Sequence, residues 1–154
     1  MRPAQLREVE RSSLRRMPSI FTRIIRHEIP AHFVLEEPHV VAFLDIAPLS
    51  RGHVLVVPVE EKEFLHQLSP ASAEAVGRVL QRVAAAVVDA TGTPDYNILQ
   101  NNGAAAHQAV PHVHFHVIPR QASGAGLSLQ WRSGALDAAD AGVLVAAIRQ
   151  RLNA

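Results

Sequence analysis

Two periods alternate along the chain. Short apolar runs bounded by turn residues predict strands at 33–35, 40–44 and 53–57. Glu36-Glu37-Pro38-His39 forms the turn between the first two, and Pro58 closes the third. After Ser69-Pro70 a helical period takes over, with Ser at the N-cap and Pro at the first helical position. Val76, Leu80, Val83 and Val87 form its apolar stripe, and Gly92 closes it. Residues 96–100 predict a fourth strand and 112–118 a fifth. A short helix is predicted over 20–27, ended by Ile29-Pro30, and a C-terminal helix over 138–152. Strands joined by short turns, with the helices held apart, predict an α+β fold rather than alternating βαβ units.

The fifth strand carries the most informative pattern, His112-Val113-His114-Phe115-His116-Val117-Ile118. Successive side chains of a strand point to opposite faces, so the three histidines share one face and Val113, Phe115 and Val117 the other. Such a row can be a solvated set of imidazoles, a source of two or three zinc ligands, or a nucleophile flanked by groups that bind developing charge. Upstream, Asn101-Asn102-Gly103 signals a turn, and 104–110 is a loop of small residues with His107 and Gln108 as its sizeable polar groups. Small side chains let backbone N–H groups approach an anion closely. No carboxylate occurs between positions 96 and 136, which suits a phosphate better than a mixed-ligand metal.

The segment from Asn101 through Gln108-Ala109-Val110-Pro111 to the histidine row and Pro119 resembles the active-site segment of the histidine-triad (HIT) nucleotide hydrolases, closest to their bacterial Hint-like branch. The stretches 20–31, 41–48 and 52–58 resemble that family's first helix, ribose-binding strand end and following strand, in the family's order and spacing. The resemblance implies a small antiparallel five-stranded sheet with two main helices, plus a C-terminal helix. It divides the chain into an N-terminal extension (1–18), the HIT domain (19–120) and a C-terminal segment packing on it (121–154). It also implies a homodimer with a continuous sheet. Independently, the apolar stripe after Ser69 is broadened by Val79 and Val88, more than one small sheet face requires, which itself points to an interface.

The resemblance further implies a purine nucleotide substrate cleaved at its α-phosphate. His114 would attack phosphorus, His116 would bond the phosphate or bridging oxygen, and His112 would orient the row. Asn101 and the N–H groups around Gln108 and Ala109 would bind the non-bridging oxygens. Asp45 would hold the ribose hydroxyls, and Phe21, Ile24, Phe43 and Ile46 would form an apolar slot for the base. Read on its own, Asp45 is a strand-end turn residue and the four apolar residues are core. His53 reads as structural, and Trp131 as packing or as a residue reaching the partner's site. A nucleoside phosphoramidate or related adenylate is favoured over a dinucleoside polyphosphate. A nucleotide-binding regulatory module without turnover is the rival reading.

Two departures from the family's pattern stand out. Ser19 and Thr22 occupy the positions of a Cys-x-x-Cys pair that helps hold a structural zinc in many bacterial relatives. Hydroxyls are poor zinc ligands, so no metal and no other cofactor is expected. In the loop before the histidines, Ala109 stands where several relatives place Ser or Thr, and His107 where glycine is common. The 154 residues make one domain by size, and a net charge of +1 offers no global attraction to nucleic acid or to a membrane surface. Without cysteine there is no disulfide framework. No apolar run reaches the length of a membrane span. The arginine-rich start lacks the apolar core of a secretory signal, so the cytoplasm is the expected compartment.

Overall fold

A computed structural model of the chain describes residues 17–130 and 132–154; most of the expected N-terminal extension, and Trp131, lie outside the described residues. The elements run α1 (Ile20–Ile25), β1 (Phe33–Glu36), β2 (Val40–Leu44), β3 (Val54–Pro58), α2 (Pro70–Thr91), β4 (Tyr96–Leu99), β5 (Phe115–Pro119) and α3 (Ala138–Leu152). The strands form one sheet in the order β1-β2-β3-β5-β4, antiparallel at every pairing. This is the expected α+β architecture. Among the described residues no helix is long and apolar enough to cross a membrane.

Strand alternation sorts the sheet into two apolar clusters. Val40 and Ala42 of β2, Val54 and Val56 of β3, and Val117 of β5 point to one face. There they pack against Ala75, Val76, Val79, Val83, Ala84 and Val87 of α2. Val41, Phe43, Leu55 and Val57 point to the other face and pack against Phe21 and Ile24 of α1. Each fully buried Val or Phe contributes about 1.5–3 kcal/mol relative to exposure, so the interior strands β2 and β3 anchor both layers. Capping fixes α2 at both ends. The Ser69 side chain accepts from the Ser72 N–H, and Gly92 closes the helix in the left-handed conformation.

Three sequence expectations are corrected. Val79 is completely buried against the chain's own sheet, so it adds nothing to an interface. A helix lying across β2, β3 and β5 needs the wide stripe that the sequence shows. The pairing of β5 begins only at Phe115, so His112, at a bend, and His114 precede the ladder. Finally, α3 has no buried residue. Within a single chain it does not pack on the domain as expected, and Val143, Leu144, Val145, Ile148 and Leu152 stand exposed.

Candidate active site

The histidines gather on the α1 side of the sheet, where β3 and β5 run side by side. His116 is held by the ladder opposite Leu55 and Leu99. His53 immediately precedes β3, and its position depends on Gly52. That glycine has φ +87, and a Cβ there would lie 2.5 Å from Thr91 Cγ2, so a side chain would push the strand entry off α2.

His112 is fully buried and both its ring nitrogens are taken by protein. Nε2 lies 2.8 Å from the Pro58 carbonyl, which can only accept, so Nε2 carries the proton. Nδ1 then accepts from the Ser19 hydroxyl at 2.7 Å. Ser19 Oγ in turn accepts from the Thr22 N–H at 3.0 Å as the N-cap of α1. The Thr22 hydroxyl donates to Glu61, whose carboxylate also accepts the Ser19 N–H at 3.2 Å. At the positions where the resemblance places two thiolates, hydroxyls and a carboxylate tie α1 to the histidine row. Glu61 escaped the sequence reading, because nothing in its local pattern distinguishes it from Glu60 and Glu63.

His114 is buried and packs edge-on against Phe21, ring centroids 4.9 Å apart. Its Nδ1 lies 2.7 Å from the carbonyl of His112 and must donate to it. The neutral ring therefore presents Nε2 with a free lone pair. Burial lowers the pKa of His114 below the usual histidine value, and the same cause lowers His112 and His53. His116 falls to about 4, through burial first and then the proximity of His114 and His53. All four rings are neutral at pH 7.

His53, read from sequence as structural, belongs to this cluster. Its Nδ1 accepts the Leu49 N–H at 3.1 Å, and its Nε2 lies 2.9 Å from His116 Nδ1. Its appearance at the head of an apolar strand after glycine was the available signal. Asp45 follows β2 and brings Oδ2 to 3.5 Å from His53 Nε2 and 4.0 Å from His116 Nδ1. Its Oδ1 accepts the Ala47 N–H at 2.8 Å. Among the described residues, Asp45, His53 and His116 are the set that could hold a metal ion.

The remaining expected residues divide. Phe21, Ile24 and Phe43 are buried together beneath the histidines, as the core reading expects. Ile46 is 100% exposed and belongs to neither cluster, so its core reading is corrected: the chain has left β2 and turned outward after Asp45. In the loop, Asn101 Nδ2 reaches the His107 carbonyl at 3.4 Å. The Gln108 side chain braces the loop, accepting the Gly103 N–H at 2.6 Å and donating to the Glu63 carbonyl at 2.7 Å. The Gln108 N–H is spent on the Gly103 carbonyl at 3.1 Å. The Ala109 N–H has no protein acceptor among the described residues. His107 has φ 64, a left-handed conformation that glycine adopts at less cost than histidine.

An antiparallel five-stranded sheet that presents a row of neutral imidazoles beside one carboxylate defines the class of histidine-triad proteins. Residues 26–123 match the HIT domain, and the chain belongs to the HIT family. It is 43% identical over 117 residues to the adenosine 5'-monophosphoramidase hnt1 of Schizosaccharomyces pombe, covering 76% of this chain and 85% of that protein. It is 36% identical over 148 residues to the adenylylsulfatase HINT3 of Arabidopsis thaliana, covering 94% of this chain and 74% of that one. A crystal structure of a HIT family member from Bacillus subtilis superposes with a TM-score of 0.81 at 34% identity, over 86% of this chain and 96% of that one.

Proposed function

We propose that this protein is a nucleotide hydrolase that cleaves purine nucleoside phosphoramidates, or related adenylates, at the α-phosphate through a covalent nucleotidyl-His114. The observation that carries this reading is the lone pair on His114 Nε2, fixed by the Nδ1–H bond to the His112 carbonyl. Nε2 attacks phosphorus, the bond from phosphorus to the leaving amine breaks, and the amine departs with an added proton. Water then attacks the same phosphorus and the bond to Nε2 breaks. The mononucleotide is released and the neutral ring restored, with the proton lost by water replacing the one added to the departing amine. The Ala109 N–H and Asn101 bind the non-bridging oxygens, His116 contacts the bridging atom, and Asp45 accepts from the ribose hydroxyls through Oδ2. The relatives named for phosphoramidase and adenylylsulfatase activity support this substrate class.

The decisive experiment is turnover of adenosine 5'-phosphoramidate. His114→Ala should lose about three orders of magnitude or more in kcat, about 4 kcal/mol, with an unchanged fold. Wild-type activity in that variant overturns the mechanism, and tight mononucleotide binding with no product from the wild-type chain makes it a binding module instead.

The active form is a homodimer in this reading. The exposed apolar residues of α3 and the outward Tyr96 and Ile98 of edge strand β4 support it. Light scattering at micromolar concentration should give twice the chain mass, and a single-chain mass refutes the assembly.

A further inference from the structure

Asp45 Oδ2, His53 Nε2 and His116 Nδ1 form a triangle with sides of 2.9, 3.5 and 4.0 Å. Those lengths bracket the edge of about 3.4 Å that a tetrahedral zinc site would require for ligands about 2.1 Å from the metal. The hydrogen-bond chain behind His53 decides against a metal. A neutral imidazole bound to metal through Nε2 carries its proton on Nδ1. His53 Nδ1, however, faces the Leu49 N–H at 3.1 Å, a backbone donor that cannot become an acceptor. Moving the proton to Nδ1 would set two donors against each other in a site only 3% exposed. The proton of His53 therefore sits on Nε2.

From this we infer that His53 is a positioning residue which fixes the tautomer of His116. The His53 Nε2–H donates to His116 Nδ1, so His116 carries its own proton on Nε2. Nε2 has no protein partner among the described residues. The backbone thus sets two neighbouring histidines in opposite tautomers. The His112 carbonyl leaves His114 with a bare Nε2, and the Leu49 N–H, acting through His53, leaves His116 with an Nε2–H. With ring centroids 4.9 Å apart, the pair offers one lone pair and one N–H to the same small ligand. This inference rests on the nucleotide hydrolase reading for its consequence. There the His116 Nε2–H is the donor to the departing amine, whose bond to phosphorus breaks as it takes that proton. His116 then regains a proton from the water of the second step. The tautomers themselves do not depend on that reading.

Long-range proton–nitrogen correlation spectra of the ligand-free protein at pH 7 test the arrangement without any substrate. His53 and His116 should show protonated Nε2, and His114 protonated Nδ1. A His116 protonated on Nδ1 overturns the inference. So does stoichiometric zinc binding at micromolar metal that is lost in His53→Gln. Gln keeps a donor near the position of Nε2, whereas Leu removes it. His53→Gln should retain kcat within about three-fold. His53→Leu should mix the His116 tautomers and lower kcat for a basic amine leaving group by about ten-fold, with KM unchanged. A nucleotide whose leaving group needs no proton should escape the loss. Equal losses with both leaving groups, or no loss in His53→Leu, overturn it. If the spectra show the expected tautomers and the wild type turns over no nucleotide, the functional reading fails and the proton placement stands.

Discussion

Mild acid should destabilise this protein well above the range in which carboxylates titrate. A histidine whose folded pKa lies below its unfolded value takes up a proton more readily in the unfolded chain. Its contribution is complete above pH 6.5 and is lost as the pH falls toward the folded value. For His116 the window runs from 6.5 to about 4. Each pH unit within it removes about 1.4 kcal/mol, so the fall from pH 6.5 to 5 removes about 2 kcal/mol before screening. Solvent at its 18% exposed side chain trims this to between about 1 and 2 kcal/mol. His53, His112 and His114 are lowered in the same direction and add to the loss. Glu37 and Glu60, held low by Arg82 and by Ser72 respectively, start to lose their share only below about their unperturbed 4.5. The interval from pH 6.5 to 5 therefore isolates the histidines. Urea unfolding at fixed protein concentration and half-unit pH steps should show the decline, and His116→Gln should make it shallower. A stability flat to within about 0.5 kcal/mol across that interval, or a slope unchanged by His116→Gln, refutes four neutral rings in the folded state.

Ser19→Ala removes both the N-cap of α1 and the donor to His112 Nδ1. It should destabilise by about 2–3 kcal/mol in thermal melts, one part from the lost cap and the rest from a buried nitrogen left without a partner. A loss under about 0.5 kcal/mol would mean the network does not tie α1 to the histidines. Ile46→Ser changes a fully exposed side chain and should leave melting unaltered. If Ile46 meets the base, KM for the nucleotide should rise about three- to ten-fold with kcat retained. An unchanged KM removes Ile46 from the site.

Local pattern alone placed most of the skeleton. Ser69, Pro70 and Gly92 bound α2 because capping chemistry is set by the residues at the helix ends themselves. The short apolar runs became β2 and β3 because continuous runs of apolar, mostly branched side chains fit a sheet covered on both faces. The histidine row was legible for the same reason, since a period of two fixes which side chains share a face. Pairing partners were not legible. That His53 meets His116 across 63 positions, and that Glu61 reaches back 42 positions to the Ser19 N–H, follows from strand order and the path of the chain beyond β3. The exposure of Ile46 and the isolation of α3 were equally hidden. A periodicity reports that an apolar face exists, and only the packed fold decides whether the chain itself covers it. Proton placement lies furthest from the sequence: the Leu49 N–H and the His112 carbonyl belong to backbone common to every residue, and only their positions in space make one imidazole an acceptor and its neighbour a donor.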